Sequence, residues 1–411
     1  MEKRRRKYGK NFVIIGSGVA AVNAAKTIRD HDKDSKIFIF GEESSLPCNR
    51  IKLSKELYSD LHSEKVLIKK EKWYQNNNIS VFTNTKVVKI DTEQQHIVTS
   101  NHEKISYYKL LICTGANNKR LPVDGINKKN VFTIRDMHEA DNFKTCLEDR
   151  KNVVNIGGGV QGVETAWSIM KAGKKVSIVE VAATLMGRQL DEKTSLLLKQ
   201  KIESAGVKVY LNTTIDSILG EEEVTGIKVN GDQIIACDSV VYSIGVTPNI
   251  SLVNNTPIHV NRGIVVNEKM ETNVASVYAA GDVAEVNGET DGLWGRAMDQ
   301  GKIAGSNMAS IPATYKKAIP TTIFNAFNVS LFSIGFVDEK QCDTTIVEED
   351  DKEKYTRLFI KDNKIVGVIS LEGVVASIPY KSAIEKQVSL EEIDMKNTNI
   401  SEIMSKVKEK L

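Results

Sequence analysis

The 411-residue sequence predicts an α/β protein with two dinucleotide-binding units and a smaller α+β domain near its C-terminal end. Two glycine-rich turns, each between an apolar strand and a helical pattern, predict the two units. Paired strand patterns beyond about residue 312 predict the third part. With 41% hydrophobic and 27% charged residues, a chain of this length is expected to fold as two or three ordinary globular domains.

The first turn lies in FVIIGSGVAAVNAA, where Gly16 and Gly18 are followed by Ala21. The first glycine permits a tight turn, the second lets a diphosphate approach the backbone, and the small third residue lets the helix pack on the sheet. The diphosphate would lie at the helix N-terminus, where free N–H groups attract anions. Glu42 or Glu43, in KIFIFGEE, would accept hydrogen bonds from the ribose, and both registers stay open.

A second turn lies in VVNIGGGVQGVETA, with Gly157, Gly159 and Gly162, and Glu180 ends the next strand in KVSIVE. One such fingerprint is a weak signal, because a glycine-rich turn can be only a strand–helix connection. Two fingerprints, each with its strand, helix and acid, predict two Rossmann-like domains that bind two nucleotides at once. The simplest reaction between the two is hydride transfer from a nicotinamide to a flavin.

The other segments predict how these units are connected. Residues 46–78 are polar with helical stretches, residues 81–115 predict a hairpin and a buried strand, and DGLWGRAMDQGKIAGSNMAS predicts a helix. Near the C-terminal end we expect a hairpin that turns at Asp362–Asn363. Ser389 is expected to cap a short helix in SLEEIDMKN.

Charge and cysteine content exclude some classes of function. The formal charge is +3, and the first ten residues hold six basic residues and one acid, so the remainder is slightly acidic and predicts no nucleic-acid-binding face. The basic segment is expected to be a solvated tail rather than a signal peptide, with binding to an acidic partner or an anionic surface as the alternative. Five widely spaced cysteines without a CxxC pair favour a cytoplasmic protein. No apolar run reaches the length of a membrane span, and the histidines form no metal-binding pattern.

The motifs GxGxxA, PCNRIKLSK, ICTG, GGGxxGxE, SIGVTPN and AAGDVA follow one another between Gly16 and about Asn307. In this order they resemble the FAD-dependent pyridine nucleotide-disulfide oxidoreductase superfamily. They are most similar to the rubredoxin and ferredoxin reductases and to the flavin-binding part of assimilatory nitrite reductases. The resemblance implies a glutathione-reductase-like arrangement of three domains: a discontinuous FAD domain (1–118 and 238–312), an inserted NAD(P)H domain (119–237) and a C-terminal α+β interface domain (313–411).

The resemblance also implies roles for individual residues. Lys55, beside the flavin, is expected to pair with Glu164 as the catalytic pair, and the alternative is that both are surface charges. Residues expected at the FAD are Gly16, Ser17, Gly18, Ala20, Ala21, Glu42, Glu43, Arg50, Lys55, Val87, Thr114, Gly115, Gly281, Asp282 and Trp294. Residues expected at the nicotinamide nucleotide are Gly157, Gly158, Gly159, Val160, Gln161, Gly162, Glu164, Glu180 and Gly245.

Glu180 favours NADH over NADPH, because a carboxylate bonds a 2′-hydroxyl and repels a 2′-phosphate, and no base follows before Arg188. The sequence lacks the CxxxxC pair of the superfamily's disulfide reductases. Cys48 stands roughly where single-cysteine relatives have a tyrosine.

We therefore expect electrons to pass from NADH through FAD to a separate small carrier such as rubredoxin or ferredoxin, and a homodimer is left open. One alternative is a single-cysteine NADH oxidase, peroxidase or disulfide reductase that uses Cys48. The other is a redox-sensing flavoprotein with slow turnover.

Overall fold

The computed structural model describes residues 10–290, 292–350 and 354–411, so all but the last residue of the basic N-terminal segment lies outside these ranges. The chain forms two compact units. The first unit contains the described residues up to Arg120, Arg135–Asp141 and Gly245–Lys317. The second unit contains Leu121–Ile134, Asn142–Ile244 and Ala318–Leu411.

The strands in chain order are β1 (Asn11–Ile15), β2 (Lys36–Phe40), β3 (Ile79–Phe82), β4 (Val87–Asp91), β5 (His96–Thr99), β6 (Lys104–Ser106), β7 (Lys109–Ile112), β8 (Ala116–Asn118), β9 (Val131–Phe132), β10 (Asn152–Ile156), β11 (Lys175–Val179), β12 (Lys208–Tyr210), β13 (Ile215–Leu219), β14 (Gly226–Val229), β15 (Gln233–Ala236), β16 (Ser239–Tyr242), β17 (Val246–Pro248), β18 (Ile264–Val266), β19 (Val277–Ala279), β20 (Ala284–Val286), β21 (Thr321–Ala326), β22 (Val329–Gly335), β23 (Thr344–Glu349), β24 (Tyr355–Lys361) and β25 (Lys364–Ser370).

The α-helices are α1 (Val19–His31), α2 (Arg50–Lys55), α3 (Glu71–Asn76), α4 (Met137–Asp149), α5 (Val160–Lys171), α6 (Glu192–Ser204), α7 (Trp294–Met308), α8 (Ser377–Glu385) and α9 (Ile400–Lys410), with short 3₁₀ turns at Ser251–Val253, Glu339–Gln341 and Val374–Ala376. Within the described ranges, no helix is both long enough and apolar enough to cross a membrane.

The first unit is built on a parallel sheet of order β19-β7-β1-β2-β3. Its central strands are continuous apolar runs, as expected for strands covered on both faces. Helix α1 packs closely on α7, because glycines remove the side chains between them. A Cβ at Gly301 would lie 2.3 Å from the carbonyl oxygen of Ala20, and one at Gly305 would lie 2.6 Å from that of Ala24. This contact fixes the helix that follows the first turn.

The second unit contains a parallel sheet of order β12-β11-β10-β16-β9 and an antiparallel sheet of order β13-β14-β15. Its C-terminal part is a five-stranded antiparallel sheet of order β21-β22-β25-β24-β23. Helices α8 and α9 share a core of buried apolar side chains with this sheet. The fold class is therefore confirmed: two parallel dinucleotide-type sheets and a smaller α+β part.

Local predictions are confirmed in part. The hairpin turn at Asp362–Asn363 is present, with positive φ at both residues (49° and 52°) as such a two-residue turn requires. The helix expected after Ser389 is wrong, because Ser389 forms a β-bridge with Lys364 and the next residues form turns. A helix begins only at Ile400, where Asn399 accepts a bond from the Glu402 N–H.

One boundary between the two compact units differs from the expected domain boundary. Strand β16 pairs with β10, so the chain returns to the first unit at Gly245 rather than at residue 238. The segment from Ala318 is counted in the second unit but has its own five-stranded sheet, and its expected standing as a separate interface domain stays a prediction. Each nucleotide-type sheet nevertheless brings one glycine-rich turn to the carboxyl end of its central strand, which is where such sheets bind ligands.

Candidate nucleotide-binding sites

The first glycine-rich turn leaves space for a diphosphate. Gly16 has φ +107°, and a Cβ there would lie 2.1 Å from the carbonyl oxygen of Cys113. Gly18 stands at the N-terminus of α1, where a Cβ would meet no atom within 4 Å. Ala20 and Ala21 follow it and are buried. An open cradle at the first N–H groups of a helix fits an anionic group.

The second turn repeats this geometry. Gly157 has φ +112°, and a Cβ there would lie 2.4 Å from the carbonyl oxygen of Ser243. Gly159 is the N-cap residue of α5 and, like Gly18, faces open space. A Cβ at Gly162 would lie 2.0 Å from the carbonyl oxygen of Gly157, so the helix can approach the turn only with glycine at this position. Val160 and Gln161 form the first helical turn.

In each turn, one residue packs against the residue that follows the next strand. The two turns differ in which member of this pair is a glycine. In the second turn, Gly158 lies beneath Glu180, whose Cβ and Cγ would be 3.1 Å from a Cβ on Gly158. In the first turn the arrangement is reversed, because a Cβ on Gly41 would lie 2.7 Å from the hydroxyl oxygen of Ser17. By strand register, Gly41 occupies the place of Glu180, since each directly follows the strand paired with the turn.

Glu180 is held by backbone groups. Its carboxylate accepts hydrogen bonds from the N–H of Gly158 at 2.5 Å and from the N–H of Ala182 at 2.8 Å. Each oxygen thus keeps a lone pair for a ribose hydroxyl. Backbone groups of the turn and of Ala182 therefore fix the position of this carboxylate.

The two acids that the sequence offers as alternatives for the first site have different surroundings in the structure. Glu42 is exposed and pairs with Lys86 at 2.7 Å. Glu43 is mostly buried and forms an ion pair with Arg50. Burial raises the pKa of Glu43, while Arg50 opposes this shift. The acid nearer to the other site residues is therefore Glu43.

A cluster of charges that surrounds Arg135 was missed at the sequence level. Its guanidinium donates to Asp282 at 2.7 Å, and Arg50 donates to its carbonyl oxygen at 2.6 Å. The Nε of Arg135 is buried and has no hydrogen-bond partner among the described residues. Two guanidinium groups beside the Gly281–Asp282 turn make a site that fits a phosphate-bearing, polyhydroxylated ligand such as FAD. The one signal in the sequence was a basic residue directly after the apolar strand of VFTIRD.

Other predicted FAD-site residues also lie in the first unit. Thr114 donates to the Asn249 carbonyl at 2.9 Å, and Gly115 (φ +67°) approaches the Arg135 guanidinium. Val87 lies at the start of β4 and Trp294 at the start of α7, and both pack on the apolar core of this unit. Their roles at a flavin stay predictions.

The predicted catalytic residues lie in different units, and so do the residues predicted for the nicotinamide site. Lys55 ends α2 in the first unit, and Glu164 is buried in α5 of the second unit. Their pairing stays a prediction. Gly245, at φ +103°, is the first residue of the returning segment and accepts a bond from the Lys119 N–H at 2.9 Å.

Cys48 has the character of a buried thiol rather than a reactive thiolate. It is only 4% exposed, and burial, assisted by the charge of Glu43, raises its pKa to about 11. Cys113, beside the first turn, is also buried, and burial raises its pKa as well. Among the described residues all five cysteines are free. Because the thiolate is the reactive form, this geometry does not favour thiol chemistry at Cys48.

Two families of known proteins match the chain. The family described as pyridine nucleotide-disulphide oxidoreductase matches residues 10–304. The rubredoxin NAD+ reductase C-terminal domain matches residues 320–388. The second match spans all five strands of the C-terminal sheet.

Curated relatives cover nearly the whole chain. A nitrite reductase (NAD(P)H) from Bacillus subtilis is 32% identical over 386 residues, which are 93% of this chain and 48% of that protein. The NADH-rubredoxin oxidoreductase from Clostridium acetobutylicum is 30% identical over 382 residues, which are 93% of this chain and 96% of that protein. The chain spans about half the length of the Bacillus subtilis relatives that it matches.

Solved structures of similar fold cover nearly the whole chain. The crystal structure of the Clostridium acetobutylicum NADH:rubredoxin oxidoreductase covers 97% of this chain and 100% of that chain, with a TM-score of 0.79 and 28% identity. A ferredoxin reductase from Rhodopseudomonas palustris has a TM-score of 0.86 over 97% of this chain and 99% of that chain, and its 24% identity shows the fold alone. The chain belongs to the pyridine nucleotide-disulphide oxidoreductase family.

Proposed function

We propose that the protein oxidises NADH through FAD and passes the electrons to a separate small redox carrier of the rubredoxin or ferredoxin type. The pair of open glycine turns on two parallel sheets carries this proposal, because it provides for two nucleotides in one chain. Relatives named NADH-rubredoxin oxidoreductase and the matched rubredoxin reductase domain support the carrier.

The first unit would hold FAD. Its diphosphate would lie on the N–H groups that follow Gly16, Ser17 and Gly18, with Arg50 and Arg135 as counter-charges. Asp282 would bond the ribityl hydroxyls, and Glu43 the adenosine ribose. FAD, when bound, accepts two electrons together and releases them singly, which is the chemistry a one-electron carrier requires.

The second unit would hold the nicotinamide nucleotide, and NADH is preferred to NADPH. The fixed carboxylate of Glu180 would accept bonds from the 2′-hydroxyl and would repel a 2′-phosphate. Arg188, the first base after it, is exposed and eight residues further along the chain. Lys55 and Glu164 would orient the nicotinamide against the flavin, which is the protein's main contribution to hydride transfer.

Electrons would pass from the flavin to the acceptor without a cysteine thiol as an intermediate carrier. A thiol relay needs a thiolate near the flavin, and the buried Cys48 thiol, with a pKa of about 11, is protonated at neutral pH. The sequence contains no CxxC pair or four-cysteine pattern that would place an iron–sulfur centre within these 411 residues. The acceptor centre is therefore placed outside these 411 residues.

An anaerobic titration of the FAD-loaded protein with NADH tests this proposal. We expect one NADH to reduce each FAD completely, without a thiolate–flavin charge-transfer band. A requirement for two NADH per FAD would reveal a second two-electron centre and would contradict the direct route. Steady-state turnover with rubredoxin, ferredoxin and dioxygen then identifies the acceptor class, and slow turnover with all three would favour the redox-sensing alternative.

A further inference from the structure

The loop between β11 and α6, residues 180–190, is attached to the second turn at two points, its first residue and its middle. Both backbone groups of Gly158 bond to this loop. The Gly158 N–H donates to Glu180 at 2.5 Å, and the Gly158 carbonyl accepts from the Met186 N–H at 2.8 Å. The position of the ribose-binding carboxylate therefore depends on the conformation of this loop.

The far end of the loop is fixed by the N-terminus of α6. The Leu185 N–H donates to the buried hydroxyl of Ser195 at 2.8 Å. Asp191 caps the helix, because its carboxylate accepts from the N–H of Thr194 at 2.8 Å and from its hydroxyl at 2.5 Å. Removing such a cap typically costs about 1 kcal/mol of helix stability. Because the cap fixes the residue at which α6 begins, Asp191 also fixes the residue at which the loop ends.

Two side chains of β24, in the C-terminal sheet, bind the same carboxylate. Tyr355 donates to Asp191 at 2.9 Å, and Arg357 donates to it at 3.0 Å. The side chains of Arg357 and Asp191 are only 13% and 9% exposed. Burial would raise the pKa of Asp191, but bonds from Thr194, Arg357 and Tyr355 outweigh it and hold that pKa below its usual value. The carboxylate is therefore ionised at neutral pH.

The second terminal nitrogen of the Arg357 guanidinium, Nη2, also has partners. It donates to Glu339 at 2.6 Å and to the Thr345 hydroxyl at 3.2 Å. A short series of hydrogen bonds thus joins the C-terminal sheet to the glycine turn, through Arg357, Asp191, the start of α6 and the loop.

We propose that Arg357 is a positioning residue for the nicotinamide nucleotide. Through Asp191 it holds loop 180–190 in the conformation that presents Glu180 to the ribose. This inference rests on the proposed function, because it takes the second turn as the NADH site. Removing one partner of a largely buried pair leaves the other charge uncompensated. The loop would then relax, and the nucleotide would have to order it on binding, which weakens binding without changing the chemical step.

Arg357→Gln, Arg357→Lys and Lys193→Gln test the proposal in the full-length FAD-loaded protein. Lys193 is the matched control, because it joins the same end of α6 to the same sheet by a pair with Glu349 at 3.0 Å that is about half exposed. We expect Arg357→Gln to raise the KM for NADH about fivefold, with kcat and FAD content unchanged. Lysine should restore part of this loss, and Lys193→Gln should behave as the unmodified protein. Amide exchange in residues 181–190 should accelerate in Arg357→Gln, less so in Arg357→Lys, and not in Lys193→Gln.

A lower Tm for Arg357→Gln with an unchanged KM and unchanged exchange in the loop would overturn the proposal, since Arg357 would then only hold the sheet. If Arg357→Gln does not fold, Tyr355→Phe replaces it, because it removes one bond to Asp191 and keeps the ion pair. If NADH does not reduce the unmodified protein, the proposed function fails, and the loop's amide exchange in the variants still decides whether Arg357 holds it.

Discussion

Gly159→Ala should weaken the binding of NADH and leave the folding of the protein intact. Gly159 is the N-cap residue of α5 and has an ordinary φ of −74°, and a Cβ there would meet no atom within 4 Å. Alanine therefore introduces no strain. The stability of the variant should change little. Alanine lowers the entropy of the unfolded chain, which is worth about 0.4–1 kcal/mol, but it is a poorer N-cap residue than glycine by about the same amount.

The same methyl group would occupy the space in which we place the diphosphate of NADH. If the diphosphate shifts enough to lose one hydrogen bond to a helix N–H, binding weakens by about 1.5–3 kcal/mol. This corresponds to a rise of about 10- to 150-fold in the KM for NADH. Gly157→Ala should behave differently, because its φ of +112° and the Ser243 carbonyl at 2.4 Å make alanine destabilising.

The assay combines three measurements on each variant: FAD per chain from the visible spectrum, Tm, and steady-state KM for NADH. Gly18→Ala is the matched control, since it fills the equivalent cradle of the first turn and should lower FAD content instead. A Gly159→Ala protein with an unchanged KM, or one that loses as much stability as Gly157→Ala, would refute the reasoning.

The remaining predictions concern individual side chains. Glu180→Ala should reduce the preference for NADH over NADPH at least about tenfold, measured as the ratio of kcat/KM values, because it removes both the 2′-hydroxyl acceptor and the repulsion of a phosphate; an unchanged ratio would place the discrimination elsewhere. Cys48→Ser should leave the NADH-per-FAD stoichiometry at one, and alkylation of Cys48 should accelerate as pH rises towards about 11, because the thiolate is formed only there; rapid alkylation at pH 7 would contradict this. Arg135→Leu should weaken FAD retention, measured by dialysis and absorbance, because Asp282 loses its partner, whereas Lys86→Leu, at an exposed ion pair, should not.

The parts of the fold that depend on local chemistry were predictable from sequence. Gly16 and Gly157 require positive φ, which few other residues adopt, so the two turns could be located. The Asp362–Asn363 turn followed from the same preference. Long apolar strands and glycine turns leave few alternatives, and the fold class was correct for that reason.

Features that depend on packing between distant segments were not predictable. Ser389 satisfies the local rule for a helix cap, but its pairing with Lys364 draws that segment to a sheet edge. Arg135 carries no local motif, and only the folded chain brings it to Asp282. The same holds for β16, whose apolar sequence is compatible with either parallel sheet. In each case the deciding partner lies far away in the sequence.

The reversed size pairs of the two turns, Ser17 with Gly41 and Gly158 with Glu180, restrict which residues can be exchanged between the two sites. A Cβ at position 158 would lie 3.1 Å from Glu180 and 2.6 Å from Leu185, and a Cβ at position 41 would lie 2.7 Å from the hydroxyl oxygen of Ser17. Changing one member of a pair alone therefore introduces a steric conflict. A carboxylate can be transplanted to position 41 of the first site only together with a smaller residue at position 17, so the two members of a pair have to be redesigned together.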